Sequence, residues 1–312
     1  QMNPDWTIAR ERGSVLGMRL VLLVLRLFGD RAASAFLFPI AFYFYLTGRS
    51  ARRASLDYLA RLHRFDARAH RHPTFMDGFR HMLSFARNAL DRVRLWQDDE
   101  QRFHFEKEGG ELVAACHEKG QGAIFIGAHA GSFEALRALS AGVGVRVNAV
   151  MYLENARMFN AIMRAANPRF DLHIINLKDR SVDAVLELKE RIDRGEIVAL
   201  LADRFYPSSR HRAVRCPFLG SEAAFPANPW IMAHLLECPV FLVAGLREAN
   251  RSYRCIARPL ADRLLLPRTS RESALRDCVG AYARFLESIC RSHPLQWFNF
   301  YDFWSLENDN IH

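Results

Sequence analysis

Hydrophobic and polar positions change their rhythm three times along this chain. From Val15 to Thr47 apolar and aromatic residues dominate, broken by Arg19, Arg26, Asp30 and Arg31, and Ala32 to Gly48 is the longest uncharged run, with Pro39 inside it. That run falls short of the roughly 20 residues that cross a bilayer. Residues 14–47 are therefore expected as two helices dipping into or lying along a membrane interface, with Phe42, Tyr43, Phe44 and Tyr45 near the headgroups. A buried helical hairpin would give the same pattern. Residues 55–105 are Arg-rich and helical in rhythm, with Phe75, Phe79, Met82, Leu83 and Ala86 on one face. No Gly-rich or Pro-rich linker separates them from the segment beginning at residue 111.

From residue 111 short apolar runs alternate with helical patterns, which predicts an α/β fold. Strands are expected at 123–128, 145–153, 171–177, 196–202, 239–247 and 252–258, and helices at 111–119, 132–141, 156–167, 181–194, 227–236 and 271–292. The expected architecture is a mixed central sheet flanked by helices. An anchor segment, 1–48, precedes one large domain, 49–312, made of a helical lead-in (49–110) and an α/β core (111–312).

Composition narrows the class. The chain has 312 residues, half of them hydrophobic, enough for one large domain plus an appendage. Lys and Arg outnumber Asp and Glu by 43 to 34, so the partner is expected to be anionic. Arg49, Arg52 and Arg53, then Arg61, Arg64, Arg68 and Arg71, come directly after the apolar segment, which favours an anionic membrane surface on the cytoplasmic side. No nucleic-acid recognition motif accompanies the charge. The six cysteines have no metal-ligand spacing and read as buried thiols of a reducing compartment. His70-Arg-His72 reads as a solvated basic loop, and Asp98-Asp99-Glu100 as a solvated turn.

The candidate chemistry lies in Gly122-Ala-Ile-Phe-Ile-Gly-Ala-His129-Ala-Gly-Ser-Phe-Glu134. An apolar strand ends there and a helical pattern begins, placing His129 at the junction. Ser132 suits the N-cap of the following helix, and Gly131 permits a sharp turn. Glu134 then falls in the first turn, within reach of His129. A neutral imidazole oriented by a carboxylate is suited to removing a hydroxyl proton, with His129 as base and Glu134 as its orienter. A packed histidine, with Glu134 merely favouring the helix N-terminus, is the alternative.

His129-(four residues)-Glu134 resembles the histidine-x4-acid motif of the lysophospholipid/glycerolipid acyltransferase superfamily, in its lipid A late-acyltransferase-like branch. Leu201-Ala-Asp-Arg204 and Pro217-Phe-Leu-Gly-Ser-Glu-Ala-Ala-Phe-Pro226 resemble later blocks of that branch, the second as a Phe-x-Gly turn followed by a helix. Gln296-Trp-Phe-Asn-Phe-Tyr-Asp-Phe-Trp304 resembles the ending of bacterial acyltransferases of this type. The resemblance implies that 49–312 is an acyltransferase domain, in a bacterial enzyme anchored at the cytoplasmic face of the inner membrane. It would move an acyl group from an acyl carrier protein or coenzyme A thioester to a lipid or glycolipid acceptor. It implies a functional arginine near Arg157 or Arg164, although Tyr152-Leu-Glu-Asn155 departs from the branch's usual Tyr-Arg-Pro-like sequence. No metal, cofactor or covalent acyl-enzyme is required.

Other residues are placed relative to that junction. Asp203 and Arg204 end an apolar strand and can face His129; Arg204 suits a phosphate or a developing oxyanion, or the two form a structural ion pair. Arg204, Arg210, Arg212 and Arg215 fall in an expected loop, either a clamp for an anionic donor or simply solvated. The aromatic C-terminal run packs on the core or lines an acyl channel. Two rival functions are a serine esterase or thioesterase using Ser132, whose surroundings lack a G-x-S-x-G elbow, and a noncatalytic lipid-binding protein.

Overall fold

The structure, a computed structural model, describes residues 33, 35–96, 102–136, 139, 144–151, 173–176, 182–205 and 212–305. Helices α1 (35–47), α2 (Arg49–Phe65) and α3 (Phe75–Trp96) lead into strand β1 (His104–Glu108) and helix α4 (Gly110–Glu118). Next come β2 (Ala123–Gly127), a 3-10 turn (Glu134–Leu136), β3 (Val147–Met151), β4 (His173–Asn176), α5 (Val182–Asp193) and β5 (Ile197–Leu201). The chain then forms β6 (Ala213–Phe218), β7 (Ser221–Pro226), α6 (Asn228–Leu236), β8 (Val240–Ala249), β9 (Ser252–Ala261) and α7 (Arg271–Ser292).

Seven strands form one sheet in the order β1-β9-β8-β2-β5-β3-β4, parallel throughout except where β8 and β9 meet as an antiparallel pair. The continuous apolar runs have a direct cause: central strands are buried on both faces. Ile124 and Ile126 of β2 pack with Val198, Leu200 and Leu242 on one side, beneath α5, α6 and α7. Ala123 and Phe125 pack with Ala199, Phe241 and Val243 on the other, with Val113 of α4. The α/β fold with a mostly parallel central sheet is thus as the alternating pattern predicts.

Two features depart from expectation. β1 joins the sheet edge although His-Phe-Glu-Lys-Glu shows no apolar rhythm; its side chains are mostly exposed, so parallel pairing with β9, not burial, defines it. The segment 213–226, expected as loop, turn and helix, is an antiparallel hairpin standing apart from the main sheet. Leu219 and Gly220 both adopt positive φ, the backbone of a tight two-residue hairpin turn, so a strand intervenes before α6. The helix expected over 132–141 starts as the 3-10 turn; residues 137–138 and 140–143 lie outside the described residues, as do the helix expected over 156–167 and the first of the two N-terminal helices.

Helix α1 buries Leu37, Ala41 and Tyr45 against Phe79, Leu83 and Leu90 of α3, and the Tyr45 hydroxyl donates to the Phe75 carbonyl at 2.8 Å. Its opposite face leaves Tyr43 62% exposed, with Phe36 and Leu46 also exposed, while Phe38, 55% exposed, sits at the edge with its ring 5.0 Å from that of Phe79. Among the described residues no helix is long and apolar enough to cross a membrane.

Candidate active site

Sheet register brings the chemistry together. β2 and β5 are parallel neighbours with Gly127 opposite Leu201, and His129 and Asp203 each lie two residues beyond. The His129 segment then threads between β8 and the C-terminal run as a short extra strand. Ala130 pairs with Trp297 and Gly131 with Gly245; the Gly131 N–H donates to the Gln296 carbonyl at 2.9 Å and the Ser132 N–H to the Gly245 carbonyl at 2.7 Å. This close passage requires glycine. Gly131 has φ +64°, and a Cβ there would lie 2.0 Å from the Gly245 carbonyl oxygen. On the far side, the Asn88 amide of α3 donates to the Gly131 carbonyl.

His129 is held on three sides. Its Nδ1 is 2.8 Å from Asp203 Oδ1, and its backbone N–H donates to Asp203 Oδ2 at 3.0 Å. Its carbonyl accepts from the Phe298 N–H at 2.8 Å. Asp203 is 2% exposed and accepts a third bond, from the Trp297 indole N–H at 3.1 Å. A carboxylate only accepts, so Nδ1 carries the proton and Nε2 carries the lone pair. The His129 side chain remains 32% exposed, and Nε2 has no hydrogen-bond partner among the described residues.

The expected orienter is therefore corrected. Asp203, not Glu134, engages Nδ1; Glu134 is buried and makes an ion pair with Arg92 of α3, Oε1 lying 2.8 Å from Nε, and accepts from the Ser132 hydroxyl at 3.2 Å. The five-residue separation does bring Glu134 into the loop, but the Gly131 turn directs it toward α3. Ser132 caps the turn as expected, accepting the Ala135 N–H at 3.3 Å. It is fully buried with its hydroxyl given to Glu134, which removes the serine-nucleophile alternative. The Ser132, Ala135 and Leu136 amides are likewise engaged within the fold, so they are not oxyanion donors.

Asp203 and Arg204 point to different partners. Arg204 Nη2 donates to the Phe298 carbonyl at 2.9 Å, its guanidinium lies 5.6 Å from the centre of the Tyr301 ring, and its Nε is buried without a hydrogen-bond partner. Burial chiefly, then the positive charge of Arg204, holds the His129 pKa below its ordinary 6.5, against the opposing pull of Asp203. The imidazole is consequently neutral at pH 7 and able to accept a proton. Burial pushes the Asp203 carboxyl upward, yet the attraction and hydrogen bonds of His129, with Arg204, outweigh it and bring it down to about 2.

Arg157, Arg164 and Arg210 lie outside the described residues. Arg215 sits on β6 and pairs with Glu222 at 3.1 Å, so it belongs to a strand and not to the expected loop. With Arg212, Arg271 and Arg276 it lines a cleft of about 1060 Å³ that Glu222 and Glu272 also line, Glu272 pairing with Arg276 at 2.6 Å. All six cysteines are free thiols. Trp297, Asn88 and Arg92 are site residues that the sequence did not single out. The advance signals for Trp297 were the unusually apolar C-terminal run and the resemblance of residues 296–304 to the ending of bacterial acyltransferases, neither of which pointed to Trp297 itself.

A comparison with curated proteins finds no match. The sequence model described as bacterial lipid A biosynthesis acyltransferase matches residues 4–305, nearly the whole chain, including His129, Asp203 and Trp297. The chain belongs to the bacterial lipid A biosynthesis acyltransferase family.

Proposed function

We propose that this family member is a membrane-associated O-acyltransferase in which His129 is the general base. The family supports acyl transfer to a lipid acceptor. The observation carrying the catalytic reading is the His129–Asp203 pair, whose Nδ1 hydrogen bond leaves Nε2 unprotonated on a partly exposed side chain.

Nε2 takes the proton of an acceptor hydroxyl as the oxygen attacks the carbonyl of a fatty acyl thioester. The tetrahedral intermediate collapses by breaking the C–S bond, and the departing thiolate takes the proton from the imidazolium. Asp203 stays ionised and stabilises that imidazolium. Arg204, the cation beside the pair, supplies positive charge to the oxyanion. Glu134 keeps Arg92 and the turn after Ser132 in place.

The donor is a thioester of acyl carrier protein or coenzyme A. Both carry phosphates or acidic groups suited to Arg212 and Arg271, the cleft arginines other than the two paired with Glu222 and Glu272. The exposed aromatic face of α1, with Arg49, Arg52 and Arg53 directly after it, suits an anionic membrane surface, with the catalytic part on the cytoplasmic side of the inner membrane.

The test is incubation of the protein with a bacterial lipid extract and either acyl carrier protein or coenzyme A bearing an isotopically labelled acyl chain, followed by mass spectrometry. Label entering one lipid class from either donor is expected. Label released as free fatty acid, or retained on both donors, overturns the reading.

A further inference from the structure

The catalytic carboxylate is tied to the lead-in helices through a chain of buried hydrogen bonds. Trp297 is 1% exposed, wedged edge-on between Tyr58 of α2, 5.0 Å between ring centres, and Phe303, 5.1 Å. Its indole N–H reaches Asp203, and its backbone carbonyl accepts from Nε2 of His81 on α3 at 2.9 Å. His81 is fully buried, and its Nδ1 lies 2.9 Å from the Ser55 hydroxyl of α2. A carbonyl only accepts, so His81 is the Nε2–H tautomer and Ser55 donates to Nδ1. Burial, opposed by the Trp297 carbonyl, lowers the His81 pKa to about 4. The ring therefore stays neutral and keeps this donor–acceptor pattern across the working pH range.

We propose that His81, set by Ser55, is a positioning residue for the reaction: it fixes the main chain at Trp297, and Trp297 in turn fixes Asp203 against His129. Three observations favour this over a purely structural role. A buried imidazole with both nitrogens partnered holds the groups it joins, here Ser55 and the Trp297 carbonyl, in one rigid arrangement. Its bond is made to Trp297, whose side chain, among the described residues of the C-terminal run, donates to the Asp203 carboxylate. The two residues flanking that contact are also tied to the site, since the Gln296 carbonyl accepts the Gly131 N–H and the Phe298 N–H donates to the His129 carbonyl. A shift at the Trp297 carbonyl would thus move the Asp203 partner and both edges of the His129 segment together. The charged groups facing His129 are Asp203 and Arg204 beyond β5 and Arg92 on α3, whereas His81 faces Ser55, Tyr58, Phe300 and Trp297.

The proposal rests on His129 acting as base, and its test separates the two claims. In His81→Gln the side-chain amide can still donate near the position of Nε2, while His81→Leu cannot. Trp297→Phe keeps a ring but removes the indole N–H. Each is measured for kcat, KM, pH profile and melting temperature, and the His129 pKa is read directly by NMR of labelled imidazole. His81→Leu and Trp297→Phe are expected to lower kcat roughly 10-fold with KM little changed. Both should raise the His129 pKa, because an Asp203 carboxylate that loses a donor attracts the imidazolium more strongly. His81→Gln should recover most of kcat, and the double variant His81→Leu/Trp297→Phe should be no worse than either alone. A folded His81→Leu protein with wild-type kcat and His129 pKa overturns the proposal. So does equal loss in His81→Gln and His81→Leu at matched melting temperature. The NMR pKa does not require turnover, so a shift there in a protein without acyl transfer would uphold the positioning role while refuting the acyltransferase chemistry.

Discussion

Asp203→Asn replaces one oxygen of the carboxylate paired with His129 by an NH₂ group at nearly constant volume, and the surrounding hydrogen bonds decide which way the amide turns. Oδ2 receives two donors, the His129 backbone N–H and the Trp297 indole, whereas Oδ1 receives one, from His129 Nδ1. An asparagine satisfies more donors with its oxygen at the Oδ2 position, which turns its NH₂ toward His129. Nδ1 must then become the acceptor, the proton moves to Nε2, and the base is lost. The expected drop in kcat is about 10²–10⁴-fold, the range for a positioned general base. Stability should also fall. Moving a carboxyl from its ordinary 3.8 to about 2 reflects favourable interaction in the folded state on the order of 2 kcal/mol, which the neutral amide forfeits in part. Steady-state transfer of a labelled acyl group, alongside thermal melts and NMR of the labelled imidazole, measures both effects. An Asp203→Asn protein within tenfold of wild type, or one whose His129 keeps its proton on Nδ1, would refute the reasoning.

Other perturbations draw on the same geometry. The base must be neutral, and burial with Arg204 keeps the His129 pKa low, so kcat/KM should rise with pH through a midpoint below 6.5 and level off above it; a midpoint above 7 contradicts this. Asp203, with its folded pKa depressed, contributes stability that is complete above about 4 and disappears as pH falls toward 2; Asp203→Asn should flatten that part of an acid-unfolding curve. Glu134→Gln retains hydrogen bonding to Ser132 but loses the Arg92 ion pair, so it should lower melting temperature and cost less activity than Asp203→Asn; a larger loss would restore Glu134 as the orienter. Gly131→Ala forces a Cβ onto the Gly245 carbonyl and should destabilise the fold by about 3 kcal/mol or more, measured by denaturant titration. Replacing Phe36 and Tyr43 with Asp should abolish sedimentation with anionic vesicles while leaving the circular dichroism spectrum unchanged.

The sequence was most legible where burial imposes a strong pattern. β2, β5 and β8 are covered on both faces, so their apolar runs announce them, and α7 shows its buried stripe through Tyr282, Phe285, Leu286 and Ile289. Edge strand β1 has no such constraint. The β6–β7 hairpin carried a two-residue rhythm in Val214, Cys216 and Phe218, masked by Pro217 between them. At the site, His129 was readable from its place at a strand end, and Asp203 from its own. That the two could face each other was readable too, since both end apolar strands; that Asp203 rather than Glu134 engages Nδ1 was not, because it depends on β2 and β5 being neighbours in a given register, a tertiary fact that local spacing does not encode. Glu134 was the nearer carboxylate in sequence and the wrong one in space. Trp297 and His81 act through contacts spanning 94 and 216 residues, respectively, beyond any local pattern.

The most direct test of the central claim is single-turnover transfer of a labelled acyl group from its thioester to bacterial lipid, comparing wild type with His129→Ala at a pH of about 7.5, where the base is neutral. The account predicts label in lipid with wild type and a rate at least about 10²-fold lower with the variant, whose circular dichroism and melting temperature remain close to wild type. Transfer at the wild-type rate by the folded His129→Ala protein would contradict it.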